Sequence, residues 1–190
     1  MINIQPAIFL VPVIILILVV VLYFSILKNT VHKKAFKRLI LVVSVLAFLL
    51  NFAWELGHLP LYKGASYNIQ HIAFCALASV ADALMVLLLY LCFALLNKKL
   101  FWVQDIGFRQ VFILMIIGGI GAIIGEMAYT SAGNWAYADT MPMLPIVNVG
   151  LSPVLQFFLL PALIYYLSFY FLKKISKKGT QLIHNADMLF

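Results

Sequence analysis

Residues 7–27 form an apolar run without one charged side chain, and four further runs nearly as apolar follow at 39–62, 71–96, 111–129 and 151–172. Each meets the requirement of about 20 residues for a helix to cross a hydrocarbon core of ~30 Å. Inside lipid the backbone must satisfy its own polar groups, which leaves helices or a closed barrel. The alternating pattern of barrel strands is absent from these runs, so a barrel is not expected. At 65% hydrophobic and 10% charged, the 190 residues carry far more apolar surface than a soluble domain needs. The expectation is an all-α polytopic membrane protein of five transmembrane helices. It forms one domain over residues 1–172, followed by a short basic tail at 173–190. The connections are short, and there is no internal repeat or low-complexity tract.

The basic residues predict an orientation. Lys28, Lys33, Lys34, Lys37 and Arg38 lie between the first two runs, Lys98, Lys99 and Arg109 between the third and fourth, and Lys173, Lys174, Lys177 and Lys178 after the fifth. Only Lys63 falls on the opposite side. Cytoplasmic loops concentrate Lys and Arg, so the N-terminus is expected outside and the C-terminal tail in the cytoplasm. The net charge of +7 is then mostly a topology signal. Its expected partners are anionic lipid headgroups rather than nucleic acid. The first run has no basic start and no Ala-x-Ala-like cleavage site, so it is expected to stay as a mature helix. Cys75 and Cys92 share the third run, ~25 Å apart along a straight helix. That is beyond disulfide reach.

Polar residues interrupt the runs unevenly. In "NFAWELGHLPLY", residues 51–62, Asn51, Glu55 and His58 recur at i, i+4 and i+7 and share a stripe. With N-out topology Glu55 lies ~10 Å below the outer end of its helix, Asp82 ~16 Å deep, Glu126 ~5 Å and Gln156 ~8 Å. His58 and His71 fall near the outer boundary. The cytoplasmic half is nearly all apolar. This segregation predicts one polar pocket toward the outer face, built by the second to fifth helices. Gly118, Gly119, Gly121, Ala122 and Gly125 let a neighbouring helix approach, or leave room for a ligand. The first helix has no strongly polar residue and is expected at the periphery.

Each polar residue also has a structural reading. Asn51 and Gln156 serve equally as interhelical hydrogen-bond glue, His71 as an interfacial residue, and Asp82 as a paired structural carboxyl. Glu55 and Glu126 weigh more toward function. An intramembrane carboxyl costs at least ~2.5 kcal/mol to insert, and no lysine or arginine lies at their depth. Apolar surroundings favour the neutral acid, the form a proton donor needs. The expected catalytic set is Glu55, Glu126, Asp82 and His58. Asn51, Trp54, His71, Trp135, Tyr137 and Gln156 are expected to line the substrate.

The connection "TSAGNWAYADTMPMLPIVNVG", residues 130–150, is the longest and carries no basic residue. Trp135 and Tyr137 suit the membrane interface, and Pro142 and Pro145 preclude a continuous helix. It reads either as an aromatic anchor or as a lid over the pocket. Pro153 and Pro161 predict a short start and a kink in the fifth helix. No cofactor is expected. Glu55-x-x-His58 has the spacing of carboxylate-bridged metal bundles, but the second Glu-x-x-His those sites need is missing. A single metal held by Glu55, His58, His71 and Glu126 is the minor alternative.

Asn51-Phe52-Ala53-Trp54-Glu55 resembles the N-x-x-W-E segment of the membrane-bound terpenoid cyclases of fungal meroterpenoid pathways. The likeness covers five residues of one helix, and that family has about seven spans. It implies Glu55 as an acid protonating a prenyl chain and Trp54 as a cation-facing aromatic. Gly125-Glu126, Trp135-x-Tyr137 and "GLSPVLQ" at 150–156 resemble a group of small bacterial membrane proteins of uncharacterised activity, which implies a bacterial inner (plasma) membrane. The resulting expectation is an intramembrane enzyme of cyclase or isomerase type, using carboxyl acid–base chemistry on an apolar, isoprenoid-like or lipid substrate. The alternatives are a proton-coupled transporter or small-molecule carrier, and a structural subunit of a membrane complex. The sequence fixes no oligomeric state.

Overall fold

The computed structural model describes residues 6–176. The rest of the expected tail, 177–190, lies outside the described residues, while Lys173 and Lys174 continue the last helix. Five helices run in sequence: α1 (Leu10–Asn29), α2 (Lys33–His58), α3 (Ile69–Leu96), α4 (Phe108–Ser131) and α5 (Leu151–Ser176). All five are long and apolar enough to cross a membrane, so the protein is an all-α, multi-pass membrane protein. A 3-10 turn over Leu59–Leu61 prolongs α2. α2 also begins ahead of its apolar run. Lys33 to Arg38 are mostly good helix formers, and Phe36 and Leu39 bury completely.

α2 packs on α3 and α5, α4 packs on α5, and α1 leans on α3. α1 stays at the edge as expected, with Ile15, Val19 and Ile26 turned inward and most of its other side chains exposed. The α4–α5 contact is close because of two residues. Pro161 has no N–H to donate to the Phe157 carbonyl one turn earlier. That carbonyl lies only 2.1 Å from where a Cβ on Gly118 would stand, so no residue but glycine fits there.

The lysine-rich end is sealed by the α3–α4 connection. Leu100, Trp102 and Val103 insert into the bundle, and Trp102 packs against Tyr90, Phe93 and Tyr165 with ring centroids 5.1–5.6 Å apart. Every buried polar atom of these aromatics finds a backbone carbonyl. Tyr90 Oη donates to Leu100 O at 2.7 Å, Tyr165 Oη to Val86 O at 2.6 Å and Trp102 Nε1 to Tyr90 O at 3.3 Å.

At the lysine-poor end the two connections are stitched together. Lys63 N donates to Ala136 O at 2.8 Å, and Ala138 N to Leu61 O at 2.9 Å. Within the α4–α5 connection a two-residue hairpin pairs β1 (Met143–Leu144) with β2 (Val149–Gly150). Asn148, at φ 51°, takes the left-handed turn position that asparagine tolerates.

Candidate functional site

Three helices, α2, α3 and α5, deliver polar side chains to one place in the bundle. The stripe on α2 turns Asn51 and Glu55 toward α3 and α5. There the Gln156 amide sits at the centre, 1% exposed. Its Nε2 donates to Asn51 Oδ1 at 2.9 Å and to Asp82 Oδ2 at 3.0 Å, with Glu55 Oε1 at 3.4 Å. An amide nitrogen carries two hydrogens and here faces three acceptor oxygens. Asn51 spends its own Nδ2 on Ala47 O at 2.8 Å. Two carboxyls therefore converge on one donor that cannot satisfy them both together with the asparagine.

His58 extends this group toward the lysine-poor face. Its Nδ1 lies 3.0 Å from Ser152 Oγ, and its Nε2 lies 3.2 Å from Glu55 Oε2. The second contact does not have hydrogen-bond geometry, so His58 Nε2 is buried against the Glu55 carboxyl without a hydrogen-bond partner. Trp54 Nε1 is the other buried nitrogen so placed among the described residues. No lysine or arginine ion-pairs with Glu55, Asp82 or Glu126 among these residues.

Glu126 forms a second group. Its Oε2 accepts from Trp135 Nε1 at 3.2 Å and from the Tyr137 hydroxyl. The α4–α5 connection thus closes onto a carboxyl at the top of α4, in the position of a lid. Gly150 makes this seat, because a Cβ there would stand 2.9 Å from the Tyr137 ring. Burial, the bond to Glu126 and the charge of Glu126 all push the Tyr137 hydroxyl above its ordinary value, so it remains a donor.

Tyr62 stands between the two groups. Its ring centroid is 5.2 Å from that of His58, 5.7 Å from Tyr137 and 6.5 Å from Trp135. Burial, followed by the charges of Glu126 and Glu55, drives its hydroxyl well above the ordinary tyrosine range. The sequence reading missed Tyr62 and Ser152. Tyr62 ends an apolar run and reads as an interfacial aromatic, and Ser152 reads as part of a helix start. Their only sequence signals were proximity to His58 and membership of the "GLSPVLQ" segment.

The structure places the expected site residues as follows. Asn51, Glu55, His58, Asp82 and Gln156 come together, and Trp54 lies beside them on α2. Glu126, Trp135 and Tyr137 come together across Tyr62. His71 goes elsewhere. Asn68 caps α3 by accepting from His71 N at 2.8 Å, which leaves the His71 ring on Ser66, with Nδ1 3.0 Å from its backbone N. The four-ligand metal set that included His71 is not assembled, and no other group of three or more His, Cys, Asp or Glu among the described residues could hold a metal ion. Cys75 and Cys92 are free thiols.

A cavity of about 500 Å³ adjoins the first group. Leu50, Ala53, Trp54, Gly57 and His58 of α2, with Leu61 of the 3-10 turn that prolongs it, form one wall, and Ser152 and Leu160 of α5 form the other. Ala53 and Gly57 are exposed, and nothing lies within 4 Å of a Cβ built on Gly57. The cavity is therefore a groove open sideways between α2 and α5. The pocket expected from the sequence opens toward the lysine-poor end, where the α4–α5 connection instead reaches across to Leu61, Lys63 and Glu126.

No protein-family model, curated protein or solved structure matches this chain.

Proposed function

We propose that the protein is an intramembrane enzyme that acts on an apolar, isoprenoid-like or lipid substrate by carboxyl acid–base chemistry. In this reading it lies in a bacterial plasma membrane with its N-terminus outside, and the site occupies the outer half. The observation that carries the reading is the shortage of hydrogens around Gln156 Nε2, where Asn51, Asp82 and Glu55 compete for two. A proton on either carboxyl turns one acceptor into a donor and closes the deficit. The arrangement thus favours a shared proton at a fixed place in a water-poor interior, which general acid catalysis requires.

Glu55 is the proton donor in this reading and Asp82 its partner. His58 reprotonates Glu55 from the Ser152 side. Trp54 faces developing positive charge with its ring. Glu126, held by Trp135 and Tyr137, keeps the lid closed. Carrier function is supported less well, because the lysine-rich half is filled by Tyr90, Trp102 and Tyr165 and offers no continuing polar path.

Glu55→Gln separates this reading from a structural role. The amide is close in shape but cannot serve as an acid. The expected outcome is loss of a product from the lipid and isoprenoid profile of cells, with the thermal midpoint of the purified protein unchanged. An unchanged profile with a raised midpoint is the signature of a structural polar core, since removing a buried carboxyl then stabilises.

A further inference from the structure

His58 meets a polar side chain at each ring nitrogen, and the two come from different helices. Nδ1 lies 3.0 Å from Ser152 Oγ on α5, and Nε2 lies 3.2 Å from Glu55 Oε2 on α2. The order is hydroxyl, imidazole, carboxyl. In that order a histidine can take the serine proton while the carboxylate stabilises the imidazolium that forms. The tautomer follows from the neighbours. A neutral imidazole donates from one nitrogen and accepts at the other. A carboxylate at Nε2 favours the hydrogen there, which leaves Nδ1 to accept from the Ser152 hydroxyl. The Glu55 contact lacks hydrogen-bond geometry. A charge at 3.2 Å still stabilises an imidazolium, and catalytic hydrogen bonds often align only once substrate is bound. Tyr62 packs edge-on against the imidazole, 5.2 Å between centroids, and restrains its plane.

The place of Ser152 in the fold adds a second observation. It is the second residue of α5, in the first turn, where amides have no intrahelical acceptor. Leu151 N donates to Pro142 O at 2.7 Å, Pro153 has no N–H, and Ser152 N makes no hydrogen bond among the described residues. The free amide at this helix start therefore belongs to the residue that carries the hydroxyl. In serine hydrolases the nucleophile's own N–H is a donor to the oxyanion formed when the serine adds to a carbonyl. The positive end of the helix favours the same charge. Ser152 is half-buried and lines the cavity beside His58. The span of α5 begins at Leu151, so the hydroxyl stands at the boundary between the hydrocarbon core and the interfacial layer. That is the level of the ester carbonyls of membrane lipids, and water reaches it.

We propose that Ser152, His58 and Glu55 form an esterase centre, with Ser152 as nucleophile, an acyl ester of a membrane lipid as substrate and water as acyl acceptor. Ser152 Oγ adds to the carbonyl carbon as its proton passes to His58 Nδ1. The bond from that carbon to the ester oxygen then breaks. The leaving alkoxide takes the proton from His58, which yields a free alcohol and an acyl-serine. Water next gives a proton to His58 and adds to the acyl carbon. The bond to Oγ breaks, the proton returns to Ser152, and a carboxylic acid leaves. This goes beyond the acid–base reading and does not rest on it. The esterase needs Glu55 as the carboxylate, with the shared proton on Asp82, whereas the acid needs that proton on Glu55.

The test uses the full chain in nanodiscs of phosphatidylethanolamine and phosphatidylglycerol. The probe is an alkyl fluorophosphonate, which an activated serine attacks at phosphorus with loss of fluoride. The expected result is one adduct, mapped to Ser152 by mass spectrometry of the parent protein, so that the reading needs no variant to fold. Labelling should be absent from Ser152→Ala and slowed ~10²-fold or more in His58→Gln and Glu55→Gln. Ser66→Ala, at an exposed serine, should label as the parent does. A nitrophenyl ester of a medium-chain fatty acid should release nitrophenolate with the parent and not with Ser152→Ala. A hydroxyl that only props His58 is an ordinary alcohol and does not react. No adduct on Ser152, adducts spread over several serines, or labelling unchanged in His58→Gln overturns the proposal. If the cellular product is then lost in Glu55→Gln and kept in Ser152→Ala, the acid reading stands without the esterase. An adduct on Ser152, with the product lost in Ser152→Ala as in Glu55→Gln, supports the esterase and makes Glu55 the partner of His58 rather than the proton donor.

Discussion

The two halves of the bundle treat their buried polar atoms in opposite ways. Toward the lysine-rich end, Tyr90, Trp102 and Tyr165 each place one donor on one backbone carbonyl. Toward the lysine-poor end, one amide nitrogen faces three oxygens and two ring nitrogens have no hydrogen-bond partner. Protein interiors satisfy nearly all their polar groups, and exceptions call for a reason. The first half has the character of packing alone. The second keeps a shortage of donor hydrogens around two carboxyls that a proton can fill. A helix can be apolar along its whole length and still serve two purposes, depending on whether its polar atoms are closed off or left available.

The largest expected effect tests the packing half. Trp102→Ala removes a ring buried against three aromatics and should cost ~3–5 kcal/mol, seen as a lower midpoint in thermal unfolding. Any protein that still folds should keep its cellular product profile. Loss of product at an unaltered midpoint would show that the lysine-rich half also belongs to the site.

Gly118→Ala comes next. Its methyl meets the Phe157 carbonyl at 2.1 Å, and such overpacking typically costs ~1–3 kcal/mol, more where backbone must move. Because this contact holds α5, and with it Gln156, the variant should lose both stability and activity. Full activity would mean that the placement of Gln156 tolerates a shift of α5.

Gln156→Leu removes the shared donor and keeps the volume. Leaving buried acceptors unmatched costs ~1–3 kcal/mol, so a lowered midpoint is expected together with lost product. A raised midpoint would mean that the amide was the unfavourable member of the cluster.

The smallest effect concerns the tyrosines that frame the site. The hydroxyls of Tyr62 and Tyr137 are pushed above the ordinary value of 10.0. Their raised native values favour the protonated form, so their stabilising contribution is complete below pH 10 and is lost as the pH climbs through their native values. Tyrosinate absorbance near pH 10 should be the same in Tyr62→Phe, Tyr137→Phe and the parent. A reduced amplitude in either variant would show that its tyrosine titrates like an exposed one.

Much of the site could be read in advance along single helices. Asn51, Glu55 and His58 share a face because the α-helical period places i, i+4 and i+7 together, and this held for α2. The meeting of Asp82 with Gln156 could not be read this way, since it depends on how α3 and α5 are rotated and on their relative height. Nor could the separation of Glu126 from Glu55 by Tyr62. Depth estimates put the two carboxyls within a few ångströms of the same level but say nothing of what stands between them. Trp102 was invisible for a similar reason, because it lies in a short connection outside the apolar runs that folds back into the bundle.

The sequence by itself determined the five helices and the confinement of strongly polar residues to one half. Both follow from local physics: the length of apolar runs against the thickness of a bilayer, and the cost of placing a carboxyl in hydrocarbon. Only the tertiary structure decided which polar atoms find partners, where the α4–α5 connection seats and on which side the groove opens. Those outcomes turn on contacts between helices, such as Gly118 admitting the carbonyl that Pro161 sets free and Gly150 admitting the Tyr137 ring. A hydrogen bond between helices depends on ångström-scale register that no single helix carries in its own pattern.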